Sequence, residues 1–148
     1  AVAAIGDPRL KERAVTEAES IGCRFATLVH PTVQWDQSTS VIGDGSIICA
    51  GNILTVNIKI GNHVTINQGC TIGHDTIIED FVSISPGCNL AGYTTIRRSA
   101  FIGIGADTIE KHEIGAGSII GAGAVVVTDI PSGVTAMGVP ASMKEQSL

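Results

Sequence analysis

The chain has 148 residues, a net charge of −5 and an aromatic content of 3%. The acid excess and the lack of a basic cluster exclude nucleic acid and anionic membrane as expected partners. No uncharged apolar run reaches the ~18 residues of a membrane span, and the length fits one domain with room for a fragment of a second.

Residues 1–30 read as a β-α-β piece. Val2 to Ile5 is a short strand. Asp7 is a good helix N-cap and Pro8 a good first helical residue. Leu10, Ala14, Ala18 and Ile21 give the helix an apolar face, and Gly22 ends it. Arg24 to Val29 is a second strand, closed by His30-Pro31. His30 reads as a boundary histidine held by local hydrogen bonds. Alone this piece cannot cover its apolar surfaces, so it must pack on the first coil of residues 31–148 or on more of its own domain.

Residues 31–148 form the second unit. In the irregular lead-in, Asp36 falls where a first aliphatic residue belongs, with Trp35 beside it to cap an open end. From Ile42 to Val126 an Ile, Leu or Val then stands at every sixth position, broken only by Thr108. A period of six fits neither a helical face nor strand alternation. It is the signature of a parallel β-helix of hexapeptides, an all-β solenoid whose stacked aliphatic columns do without aromatic residues. One place after the aliphatic residue Gly recurs, as at Gly43, Gly61, Gly73 and Gly103, which suggests a corner there. Four places after it the residues are small or β-branched. Three hexads make a triangular coil, so residues eighteen apart stack in neighbouring strands, roughly 4.8 Å apart. The charged run Glu110 to Glu113 reads as a solvated face. Val134 to Val139, before Pro140, is a closing strand.

The cysteines, at 23, 49, 70 and 88, lack metal-ligand spacing. Cys70 and Cys88 are expected to stack as small interior residues, and parallel in-register side chains suit a disulfide poorly. Free thiols fit a reducing cytoplasm, and no signal peptide is visible.

Two corners carry candidate chemistry. At the first, His74 and Asp75 are adjacent, with Val56 one coil before His74 and Gly92 one coil after. The carboxylate could orient the imidazole, and the Gly92 N–H could face a developing oxyanion. The plain alternative is a His-Asp pair in a solvated turn. At the second, Ile104 and Ala122 stack among glycines and leave a smooth path for a long thin ligand. The plain alternative is that Gly merely suits the turns.

The segment Asn67-Gln68-Gly69-Cys70-Thr71-Ile72-Gly73-His74-Asp75, continuing through Ser83 to Gly92, resembles bacterial hexapeptide-repeat acetyltransferases. The family is that of the sialic-acid O-acetyltransferases and UDP-4-amino-sugar N-acetyltransferases. Gly138-Val139-Pro140-Ala141 is similar to its closing motif, and residues 5–31 are similar to the end of its small N-terminal sugar-binding domain.

The resemblance implies a left-handed β-helix, although general handedness rules favour right-handed crossovers. It implies a homotrimer with sites between protomers, acetyl-CoA as co-substrate, no metal, and a sugar or nucleotide-sugar acceptor. It makes His74 the general base and Asp75 its acidic partner. It makes Gly92 a backbone contact to the acetyl carbonyl, and Ile104 and Ala122 contacts to acetyl-CoA. It offers Asn67 toward the acceptor from the neighbouring protomer. Ser83 stands where many members use a histidine to help hold acetyl-CoA. Only the final β-α-β of the sugar-binding domain is expected here.

Competing readings are a degenerate trimeric remnant, a structural or ice-binding solenoid, and a γ-class carbonic anhydrase. The solenoid would want a flat face of repeated Thr. The anhydrase needs a three-histidine zinc site, which His30, His63, His74 and an inward-facing His112 do not suggest.

Overall fold

The computed structural model describes residues 1–144 as one helix and a solenoid of two- and three-residue strands. The strands form three sheets of eight, six and five strands, parallel except for the last pair, Thr135–Met137 with Ser142–Met143, and these are the sides of a left-handed parallel β-helix. Register follows the eighteen-residue ruler: Ile48, Ile66, Ile84, Ile102 and Ile120 form one stack, and Leu54, Ile72, Leu90, Thr108 and Val126 another. The aliphatic columns are buried, as are the small interior residues Cys70 and Cys88. All four cysteines are free.

The recurrent glycines have a different cause from the expected corner. Gly43, Gly61, Gly73 and Gly103 have ordinary φ, but a Cβ on any of them would collide with the next coil. The corner itself lies two residues later. Every sixth residue from Gly45 to Gly123 has φ between 55° and 74°, whether it is Gly, Asn, His, Asp, Phe, Tyr, Ser or Lys. Non-glycine residues rarely adopt this conformation. From His63 onward each such N–H bonds a carbonyl of the coil before, as Asp75 does to Val56 and Tyr93 to His74, while Gly51 and Asn57 donate to the Thr32 and Thr39 hydroxyls.

The solenoid starts earlier than expected. Leu28–Val29 pairs with Ile47–Ile48, and Gln34–Trp35 with Ile53–Leu54. Trp35, not Asp36, holds the inward place and packs on the core. Asp36 instead accepts from the Ser38 N–H and from the Ser38 and Thr39 hydroxyls. No strand forms over Val2 to Ile5, although Ala1 bonds Arg24 and Ala26. His30 Nδ1 bonds Thr32 within its own turn. At the far end Thr135–Met137 pairs with Ile119–Ile120, and the antiparallel strand Ser142–Met143 ends that sheet.

The helix, α1 (Pro8–Ser20), starts as expected, with Asp7 accepting from the Leu10 N–H. Its buried face is rotated from the expected one: it buries Pro8, Lys11 and Val15, while Leu10 and Ile21 are exposed. The Lys11 ammonium sets this rotation. It lies under α1, 1% exposed, and donates to Thr65 Oγ1, Val82 O and Ser83 Oγ at 3.0–3.2 Å. Val15 packs with Ala3, Phe81 and Phe25, and Glu12 binds Arg98 and Ser99.

Burial pulls Lys11 from 10.5 down to about 8. Between those values the unfolded chain holds this proton and the folded chain sheds it. The penalty is full below pH 8 and is relieved as pH rises to 10.5. The stability of the parent minus that of Lys11→Met, from denaturant titrations, is expected to rise with pH across this window. A flat difference would show that the ammonium is not buried.

Candidate active site

His74 sits at the second of three corners, directly after the strand Thr71–Ile72. Its Nδ1 lies 2.8 Å from Asp75 Oδ2. An ionised carboxylate only accepts, so in the neutral ring Nδ1 carries the hydrogen and Nε2 the lone pair. The His74 imidazole and then Asn57 and Tyr93 hold the Asp75 carboxyl below its ordinary range, so it stays ionised at neutral pH. Asn57 Nδ2 donates to Asp75 Oδ1 at 3.2 Å, and the Tyr93 ring meets the imidazole edge-on with centroids 5.0 Å apart.

Local backbone geometry makes this arrangement possible. Asp75 holds the corner conformation at φ 59°, which Asp tolerates better than most residues. Gly92 lies against the imidazole on the next coil. A Cβ there would stand 2.7 Å from His74 Nε2, so only glycine leaves the ring in place. Nε2 is thus aimed over the Gly92 backbone. Among the described residues the Gly92 N–H has no acceptor. The His74 side chain is 53% exposed, so the pair is open to a reactant. A shallow groove of about 350 Å³ runs beside Asp75, lined by Thr39, Asn57, Lys59 and Ile77.

The other candidates lie elsewhere. Asn67, Ile104 and Ala122 are on the preceding corner, across the face that carries Thr71, Asn89 and Asp107. Asn67 Nδ2 donates to Ile84 O at 2.8 Å, which leaves its oxygen free to accept. Ile104 is 57% exposed and Ala122 is exposed, with Gly105 and Gly123 at the turns beside them. One chain therefore brings together His74, Asp75 and Gly92, and apart from them Asn67, Ile104 and Ala122.

Ser83 is a correction. Expected beside the donor, it is 2% exposed beneath α1 with its hydroxyl on Lys11. Its outward place on the strand is taken by the helix, so it is closed to a ligand. Asn57 and Tyr93 escaped the sequence reading, although both lie eighteen residues from Asp75. His112 is partly inward and bonds Asp129 at 3.0 Å. Among the described residues no three His, Cys, Asp or Glu side chains converge as a metal site would need.

No family model and no curated protein matches the chain. Solved structures do. A variant of perosamine N-acetyltransferase from Caulobacter crescentus, in complex with CoA and GDP-perosamine, is 34% identical with a TM-score of 0.93; the match covers 97% of this chain and 68% of that one. The acetyltransferase domain of PglB from Neisseria gonorrhoeae, with acetyl coenzyme A, is 34% identical with a TM-score of 0.90 over 95% and 68% of the two chains. WeeI from Acinetobacter baumannii is 35% identical with a TM-score of 0.90 over the same shares. The chain belongs to the hexapeptide-repeat sugar acetyltransferases. It is an acyltransferase, which removes the ice-binding and anhydrase readings.

The contact between Gly92 and the imidazole gives a test. Gly92→Ala forces the His74 ring off its place while touching no core side chain. Acetyl transfer is expected to fall at least ~10²-fold, the lower worth of a general base, with the melting temperature within a few degrees of the parent. Unchanged turnover would show that the ring position over Gly92 is not used.

Proposed function

We propose that this chain moves the acetyl group of acetyl-CoA directly to an amine of a nucleotide-linked amino sugar, with His74 as general base. The carrying observation is the His74 Nε2 lone pair aimed over the Gly92 backbone. An amine is favoured over a hydroxyl because the perosamine enzyme is named for N-acetylation and was solved with CoA and a nucleotide sugar.

In this reaction His74 Nε2 takes the proton as the amine attacks the thioester carbonyl. Asp75 stabilises the imidazolium that forms. The Gly92 N–H donates to the oxyanion of the tetrahedral intermediate. When the carbon–sulfur bond breaks, the imidazolium returns its proton to the departing sulfur, and CoA leaves as the thiol. Direct transfer is preferred to an acyl-cysteine because Cys70 is fully buried.

The donor would lie along the Ile104 and Ala122 corner, where glycine turns leave the backbone bare. That corner is remote from His74 in one chain. The proposed assembly is a homotrimer in which the corner of one protomer faces the His74 corner of the next, and Asn67 reaches the acceptor from the neighbour. Such an arrangement also covers exposed Ile53 and Val56 beside that face. Acetyl-CoA as donor and free cysteines fit work in the cytoplasm.

The test is release of CoA thiol from acetyl-CoA with a panel of GDP- and UDP-linked amino sugars. Turnover is expected with at least one of them. His74→Ala should keep thermal stabilisation by acetyl-CoA yet lose roughly 10²–10⁴-fold in rate, with Asp75→Asn losing less. Absence of thiol release across the panel, or a His74→Ala rate within a few-fold of the parent, would overturn the proposal.

A further inference from the structure

The one break in the aliphatic columns, Thr108, lies directly under the site. It is 8% exposed, and Thr94 and Thr76 beside it are fully buried. On this side of the solenoid the first residue after the strand donates its N–H to a backbone carbonyl of the next coil in the coils before and after Ala91: Thr55 to Ile72, Gly73 to Leu90, Ile109 to Val126. Ala91 departs from that rule. Its N–H goes to the Thr108 hydroxyl at 3.1 Å.

The remaining bonds close a ring. The Thr94 hydroxyl donates to Ala91 O at 2.7 Å, and the two threonine oxygens are 3.1 Å apart. With the Thr94 hydrogen used on Ala91 O, the Thr108 hydroxyl must donate to Thr94 Oγ1. The sense is then uniform: Ala91 N–H to Thr108, Thr108 O–H to Thr94, Thr94 O–H to Ala91 O. Ser118 makes the bond equivalent to that of Thr94, on Gly115 O, without any such closure. The Thr76 hydroxyl reaches Ala91 O as well, at 3.5 Å.

Ala91 O and the Gly92 N–H belong to one peptide unit. Its oxygen is held from inside the solenoid, and its N–H faces out beneath His74. Hydrogen bonds to a peptide oxygen polarise the group and strengthen its N–H as a donor, and chains of uniform sense reinforce one another. A donor fixed before reaction spends no reorganisation at the transition state.

We infer that Thr108 and Thr94 are positioning residues for catalysis: their buried hydroxyl ring orients and polarises the Ala91–Gly92 peptide as oxyanion donor. This inference rests on the proposed use of the Gly92 N–H. It gives the polar break in an otherwise aliphatic column a purpose that packing alone does not supply.

Thr108→Val keeps the side-chain shape and restores the column. The Ala91 N–H is then free to return to the backbone carbonyl of residue 108, as in the other coils, so the fold is expected to hold. The expected result is a kcat lowered roughly 10-fold, a second-order share of the 10²–10³ attached to a direct oxyanion donor. KM for both substrates and the shape of the pH–rate profile should not change, and Thr108→Ser should restore kcat. A purely structural role would instead move melting temperature and leave kcat alone. Thr108→Val at parental kcat with Gly92 chemistry intact would overturn the inference.

A second arm needs no turnover. In backbone amide NMR spectra the Gly92 proton is expected to move upfield in Thr108→Val but not in Thr108→Ser, while the His74 and Glu110 amides at the same corner hold still. If the parent transfers no acetyl group, the proposed function fails on that assay. The Gly92 resonance then decides the ring alone, and an unmoved signal would overturn it.

Discussion

The structure depends on a backbone conformation that most side chains resist. At every sixth residue the chain turns through positive φ, and the N–H of that residue reaches back to the coil before. The cost of each such turn is met by stacking, since the bond exists only when the neighbouring coil is in register. Register in turn places the aliphatic columns over one another and excludes water from the narrow interior. The same constraint makes the site. It puts Asp75 in a turn with its carboxylate against His74, and it sets Gly92 one rung away under the imidazole.

Much of this was legible because the period survives without insertion from Ile42 to Val126. Counting by eighteen placed Gly92 on the rung after His74, and both lie there. The same count would have reached Asn57 and Tyr93, which flank Asp75, had the positive-φ corner been assigned to its true place. The repeated Gly after each aliphatic residue drew attention first, but it marks close approach between coils rather than the turn. The corner is occupied by residues as different as Phe81 and Lys111, so it has no compositional signal.

Other features depended on contacts that no local pattern carries. The buried face of α1 is set by three acceptors for Lys11 on two distant, neighbouring coils, and amphipathicity pointed instead to Leu10 and Ile21. Ser83 is closed by that same helix. The first coils were hidden because Trp35 and Val29 hold inward places ahead of the regular count, one residue out of step with it. Thr108 stood out in the sequence as an exception, and only its hydroxyl contacts show where the exception points.

The solenoid separates its chemistry between corners. His74, Asp75 and Gly92 are on one, while Asn67, Ile104 and Ala122 are on the one before, with a whole face between them. A reaction that needs both corners must therefore be completed by a second chain, and in the proposed trimer cyclic symmetry would supply the missing corner at every interface. Subunit complementation tests this most directly. His74→Ala and Ala122→Trp chains, each inactive alone, are co-refolded and assayed for acetyl transfer. The account expects the mixture to recover activity, because a mixed interface pairs the intact His74 of one chain with the intact Ala122 of its neighbour. A mixture as inactive as its components, with mixed oligomers shown to form, would contradict a site shared between protomers.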